Sequence, residues 1–232
     1  MGGTDLGHTT AVTNLSVFAL GNLLVTVLAL TLFCIIIPLL LSIKRVNLPK
    51  VWPHLIFFCS IGFAFILIEI AQIQRLTMML GNPTLGLCVV LFTLLLSSGI
   101  GSQLSGYWKG DDRKRHLLIS MGGLCGMLLI IGLITPAVIS ALVSASIPVK
   151  IVCTALLMFP AGLMMGSAFP LGMKCVSSKY EDLTPWFWGL NGATSACSSV
   201  LAIVIALVAG ISAAYWSGLG FYVLALLCVL LF

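Results

Sequence analysis

Charged side chains are scarce in this chain: Asp, Glu, Lys and Arg make up only 7% of its 232 residues, whereas 60% are hydrophobic. A soluble domain carries about 25% charged residues, and its core does not need this much apolar surface. A water-soluble fold is therefore excluded, and the lipid bilayer is the expected solvent for most of the chain. The sequence predicts an all-α protein, a polytopic bundle of transmembrane helices.

Clustered metal ligands and catalytic motifs are missing as well. The eight cysteines are scattered without a CxxC pair, so neither a metal site nor a disulfide framework is predicted. The three histidines, His8, His54 and His116, lie in the N-terminal tail or at segment ends, which argues against a haem held inside this chain. A glycine-rich phosphate loop, a nucleophile elbow and an HExxH motif are also absent from the sequence. We therefore expect no cofactor, no metal and no enzyme activity from this chain alone.

Seven apolar segments are long enough to cross a bilayer, and together they form one integral membrane domain over residues 1–232. Between the second and third segments, Gly81-Asn82-Pro83 breaks the chain, with Asn82 as the predicted N-cap and Pro83 at the first helical position. Pro136 is expected to end the fourth segment, and the connection 137–148 is a candidate for a short helix of its own. The predicted segments are 14–43, 52–80, 83–107, 116–134, 149–172, 186–209 and 211–232.

The positively charged residues lie beside the apolar segments and are concentrated in every second connection between them. The connections 44–53, 109–115 and 174–181 contain nine of the eleven Lys and Arg residues, and the other connections contain only Arg75 and Lys150. The positive-inside rule therefore places the N-terminus outside and the C-terminus inside. The same rule accounts for the net charge of +5 without a nucleic acid partner.

One apolar segment, 52–80, contains charged and amide side chains well inside its length. Glu69, Gln72 and Arg75 are spaced three apart and form a slanted stripe along one side of the predicted helix. A charge near the centre of a membrane helix costs about 2.5–3.5 kcal/mol on insertion scales. The stripe is therefore expected to face protein, either as a buried polar network that fixes helix register or as a proton- or ligand-binding site. Asn22 of the first segment lies at a comparable predicted depth and is a candidate partner.

Small residues at four-residue spacing are typical of helix faces that pack closely in membranes. Gly122 and Gly126 form one such pair in the fourth segment, and Gly162 and Gly166 form another in the fifth. Each pair fits helix packing within the chain or a contact with another chain. Asn191 in the sixth segment is expected to form a hydrogen bond between helices.

Several short motifs together resemble a known family over residues 52–208. The resemblance is to the C-terminal membrane region of bacterial proteins that combine a transporter-like membrane part with a spermidine-synthase-like domain. It implies a multi-pass protein of the bacterial cytoplasmic membrane. The family's soluble aminopropyltransferase-like domain has no counterpart here, and Asn82 stands where the family has His in a Leu-Gly-His-Pro motif. The motifs are EIAQIQR at 69–75, LGNPT at 80–84, SGIGS at 98–102, FPLG at 169–172 and PWFWGLNG at 185–192.

These observations lead to three hypotheses about function. The first is a non-enzymatic scaffold or accessory subunit of a larger membrane protein complex, with lipid and other membrane subunits as its partners. The second is a small-molecule or proton-coupled transport module centred on Glu69. The third is the membrane half of a split aminopropyltransferase-like enzyme whose soluble partner is a separate chain. The residues alone leave all three open.

Overall fold

The computed structural model describes residues 48–108, 112–177 and 180–232, together with isolated positions between 18 and 37. Of residues 48–50 it describes only the backbone. The first predicted segment, 14–43, therefore lies mostly outside the described residues, and the fold below is that of the remaining chain.

Six α-helices make up nearly all of the described ranges, and they contain 20 to 33 residues each. A bilayer core about 30 Å thick needs about 20 apolar residues in a helix, so each of the six is long and apolar enough to cross a membrane. This is the architecture of a helical, multi-pass integral membrane protein. The helices are α1 (Leu48–Leu80), α2 (Pro83–Tyr107), α3 (Arg113–Leu142), α4 (Ile147–Val176), α5 (Thr184–Ala209) and α6 (Ile211–Leu230), with a short 3-10 turn at Glu181–Leu183 before α5.

The turn between α1 and α2 follows the local chemistry that the sequence predicts. Gly81 has a positive φ of 72°, a conformation that glycine adopts without steric cost. The side-chain oxygen of Asn82 accepts hydrogen bonds from the backbone nitrogens of Thr84 and Leu85 at 3.0 and 3.2 Å. Pro83 follows as the first residue of α2. The predicted N-cap is therefore confirmed, and so are both bounds of this segment.

The prediction that Pro136 ends a helix was wrong. Helix α3 continues through Pro136 to Leu142, so residues 137–142 belong to α3 and do not form a short helix of their own. Proline removes one backbone donor, but side-chain hydroxyls can satisfy nearby carbonyls in a membrane helix. Thr135 Oγ1 donates to the carbonyl of Ile131 at 2.6 Å, whereas the carbonyl that Pro136 leaves without a backbone donor is that of Gly132. Helix α4 likewise remains α-helical through both of its internal prolines, Pro160 and Pro170.

Helix α1 lies at the centre of the bundle and packs against each of the other five helices. Around it, α5 packs on α6, α6 on α3, α3 on α4, and α4 on α2, so that five helices form an open ring with α2 and α5 at its ends. The packing of α1 on α6 is close because Gly218 of α6 lies against Leu67 and Ile68. A central position explains how one apolar helix can carry charged side chains without exposing them to lipid.

The closest approach between two helices of the ring is that of α4 on α2. A Cβ atom at Gly162 would collide with the side chain of Ser97, and one at Gly166 would collide with the backbone of Ser98. The GxxxG pair of α4 is therefore used for packing inside the chain, as small residues in membrane interfaces commonly are.

Basic side chains gather at the end of the bundle where α1, α3 and α5 begin, which we call the basic end. Lys114 Nζ donates to the carbonyls of Leu230 and Phe232 at 3.1 and 2.9 Å, at the C-terminus of α6. Lys174 Nζ donates to the carbonyl of Ser105 at 2.5 Å, and Arg113 donates to the carbonyl of Lys174 at 3.0 Å. These cations satisfy carbonyls that helix ends leave without a partner and complement the helix dipoles.

The two GxxxG pairs provide a matched test of this packing. We expect Gly166→Leu to lower the stability of the bundle by about 1–3 kcal/mol, because the added side chain overlaps the backbone of α2. The same change at Gly126 of α3, where no described residue would lie within 4 Å of an added Cβ atom, should cost less than about 0.5 kcal/mol. Denaturant unfolding in detergent micelles measures both. Equal losses in the two variants would contradict the α2–α4 packing.

Candidate functional site

The polar stripe of α1 is buried inside the helix ring. Glu69, Gln72 and Arg75 have exposed fractions of 8%, 1% and 5%, although each is a strongly polar residue type. They lie beyond the middle of the helix, toward the end opposite the basic end. Burial of all three agrees with the central position of α1, which has helices around it.

Arg75 is held by an aromatic side chain of α6. Its guanidinium carbon lies 4.5 Å from the centroid of the Tyr215 ring, which is a cation–π distance. The Tyr215 hydroxyl donates to the carbonyl of Leu128 in α3 at 2.5 Å. The ring fits against α3 because Gly132 has no side chain, and a Cβ atom there would lie 2.5 Å from the ring. Arg75 and Tyr215 thus connect three helices through one buried contact.

The same group contains polar atoms that lack a hydrogen-bond partner among the described residues. They are the Nη1 atom of Arg75 and both amide atoms of Gln72, Oε1 and Nε2. Glu69 and Arg75 form no salt bridge with one another. A buried polar atom without a partner costs free energy in an apolar environment. The group therefore has spare donors and acceptors for a polar partner.

The other predicted member of this group, Asn22, is not brought to it by any contact of the described residues. Asn22 is exposed, and its backbone carbonyl accepts a hydrogen bond from Thr26 Oγ1 at 2.8 Å. Sequence reasoning missed Tyr215, which contacts Arg75, and it missed Tyr222, which lines the cavity described below. They are spaced seven apart and share one face of α6. That spacing was visible in the sequence, but the pairing of this face with α1 was not.

Asn191 lies at a different level, together with Ser195 and Ser198 of α5. The Ser195 hydroxyl donates to the carbonyl of Gly62 at 3.3 Å, and the Ser198 hydroxyl donates to the carbonyl of Phe63 at 2.8 Å. Gly62 precedes Glu69 by about two helical turns, or roughly 10 Å along α1. The structure therefore contains two separate polar regions, one around Glu69 and one where α5 packs on α1.

A cavity of about 320 Å³ lies beside the second region, near the middle of α1. Asn191 and Ser195 line it from α5, and Tyr222 lines it from α6. Most of its remaining wall is apolar and comes from α1 and α4, through Ile61, Gly62, Phe65, Ile66, Met165, Ala168 and Phe169. Asn191, which sequence reasoning assigned to helix packing, is thus also part of a cavity wall.

The GxxxG pair of α3 differs from that of α4. Gly122 and Gly126 are exposed, and no atom of the described residues would come within 4 Å of a Cβ added at either position. Identical spacing therefore leads to opposite surroundings: the pair in α4 faces α2, and the pair in α3 faces away from the bundle.

Within the described part of the chain, no three His, Cys, Asp or Glu side chains lie close enough together to hold a metal ion. The chemistry that the described side chains offer is hydrogen bonding and charge at the Glu69 group, and hydrogen bonding at the cavity. Comparisons with protein-family models, with curated proteins and with solved structures gave no match to this chain.

Proposed function

We propose that this chain is a non-enzymatic scaffold or accessory subunit of a larger membrane protein complex. The observation that carries the proposal is the outward-facing pair of glycines in α3, Gly122 and Gly126, around which no described residue fills the space. The equivalent pair in α4 is fully used in packing on α2. A small-xxx-small face lets a second helix approach closely and gain van der Waals contacts that lipid chains provide less well.

The face around these glycines suits a helix of another membrane protein. Its large side chains are exposed and apolar: Ile119 precedes the glycines, and Leu129, Ile130 and Leu133 follow them. A partner helix crossing at Gly122 and Gly126 would also contact these flanking side chains. The proposed partner is therefore a transmembrane helix of a second subunit.

The proposal includes an orientation in the bacterial cytoplasmic membrane. The basic end, with Arg113, Lys114, Arg115 and Lys174, faces the cytoplasm, as the positive-inside rule requires. The C-terminus is then inside and the N-terminus outside. Trp52, Trp108 and Trp188 lie toward the same end and are exposed, which suits the membrane interface where indole rings are favoured.

The assembly role is tested by placing bulky residues on the α3 face. We expect Gly122→Ile and Gly126→Ile to reduce recovery of the partner subunit at least tenfold in a mild-detergent co-purification, because the added side chains hold the partner helix away. Since both positions are open, the bundle itself should keep its unfolding midpoint. Quantitative mass spectrometry of the purified complex measures the loss.

Gly99 provides the matched control, because it is also an exposed helix glycine with no neighbour within 4 Å, but it lies on α2. Gly99→Ile should leave the complex intact. A wild-type chain that purifies as a monomer with no partner would contradict the proposal. If a soluble aminopropyltransferase-like protein co-purifies with the chain and none of these variants removes it, the result would instead favour the split-enzyme hypothesis.

The Glu69 group supports a second candidate function, a small-molecule or proton-coupled transport module. The specific observation is that a carboxylate, an amide and a guanidinium lie buried on one helix while Gln72 and Arg75 retain atoms without partners. Ionisable groups inside membrane proteins commonly mark substrate or proton pathways. Such a pathway would pass between α1, α3 and α6, where Arg75 meets Tyr215.

This second candidate predicts that Glu69→Gln abolishes transport while the protein still assembles and inserts. The amide keeps the size of the side chain but cannot carry a charge or release a proton. Uptake of a pH-sensitive dye into proteoliposomes measures proton movement, and chromatography in detergent measures assembly. Loss of assembly in Glu69→Gln would show that the carboxylate serves only the structure.

A further inference from the structure

The cavity between α1, α4 and α5 combines an apolar wall with unpaired polar groups. Tyr222 is only 1% exposed, yet its hydroxyl forms no hydrogen bond with any residue of the described ranges. The side-chain amide of Asn191 also lacks a hydrogen-bond partner among the described residues, and Asn191 lines the cavity from α5. In the hydrocarbon region, water is scarce and unpaired polar groups are costly. Both groups can therefore form hydrogen bonds with a molecule that enters the cavity.

The wall also limits the charge of anything that binds. No Lys, Arg, Asp, Glu or His lines the cavity, and the Glu69 carboxylate lies about one turn of α1 beyond Phe65 and Ile66. An ionised ligand would lose its hydration without gaining a counter-charge, which disfavours it strongly. The volume of about 320 Å³ is near the lower end of the range of roughly 300–1,000 Å³ found for small-molecule sites.

We propose that this cavity binds a neutral, lipid-soluble molecule whose polar end carries a hydroxyl or carbonyl group. Asn191 and Tyr222 hydrogen-bond the polar end, and the apolar part lies against Phe65, Met165 and Phe169. Phe169 is fixed by Trp188 of α5, with ring centroids 4.4 Å apart, and by Phe58 of α1 at 5.3 Å. The three packed rings lie on the side of the cavity that is nearer to the basic end. The site lies apart from the α3 face, since none of its lining residues belongs to α3.

A photoreactive fatty alcohol tests the proposal on the full chain in lipid nanodiscs. The probe is a diazirine-bearing primary alcohol of ten carbons, and cross-linked peptides are mapped by mass spectrometry. We expect saturable labelling of α1 near Gly62 to Ile66 and of α4 near Met165 to Phe169, with competition by unlabelled 1-decanol. The corresponding fatty acid, ionised at neutral pH, should compete at least tenfold more weakly.

Three variants connect the labelling to the site. Asn191→Leu and Tyr222→Phe should each weaken binding about three- to tenfold, as expected for one lost hydrogen bond. Ile66→Trp should remove the labelling by filling the cavity. Ser199→Ala is the control, because Ser199 lies on the same helix but donates to the carbonyl of Ala196 and does not line the cavity.

The outcomes separate a site from general lipid contact. Labelling that saturates and weakens in Asn191→Leu and Tyr222→Phe, but not in Ser199→Ala, supports the proposal. Labelling that does not saturate, or that the two polar variants leave unchanged, overturns it. If Ile66→Trp fails to fold, as judged by its elution from size-exclusion chromatography, the two polar variants still decide the result.

Discussion

The contact of Arg75 with the ring of Tyr215 is the buried polar constraint that joins α1, α6 and α3. A guanidinium that faced lipid would be expensive, so the helix that carries it must be enclosed by other helices. Helix α1 is enclosed, and the Tyr215 hydroxyl extends the contact to α3 through the carbonyl of Leu128. One polar contact thereby joins the central helix to two of its neighbours.

Close packing provides the remaining constraints. Without a hydrophobic driving force between helices in lipid, association depends on van der Waals contact and a few hydrogen bonds. The approach of α4 to α2 at Gly162 and Gly166, and of α6 to α1 at Gly218, meets that requirement. The Ser195 and Ser198 hydroxyls join α5 to the backbone of α1. The cavity remains where these approaches leave α4 and α5 apart beside α1.

Local chemistry was predictable from the sequence, and non-local pairing was not. The Asn82 cap and the bounds of α2 depend on a few adjacent residues, and the sequence contains them. Pro136 misled because the helix continues past it in spite of the lost backbone donor. The two GxxxG pairs look identical in sequence, and only the neighbouring helix decides which one is buried. Tyr215 and Tyr222 escaped notice for the same reason, since their role depends on a helix far away in the chain.

The most direct test of this account is a double-mutant cycle between Arg75→Met and Tyr215→Leu, measured by reversible unfolding in a lipid-like detergent. If their contact fixes α1 at the centre of the bundle, the two changes should be coupled by about 1–2 kcal/mol, as for a desolvated cation–π pair. Additive effects, within about 0.3 kcal/mol, would show that the two side chains are neighbours without stabilising one another, and would contradict the account.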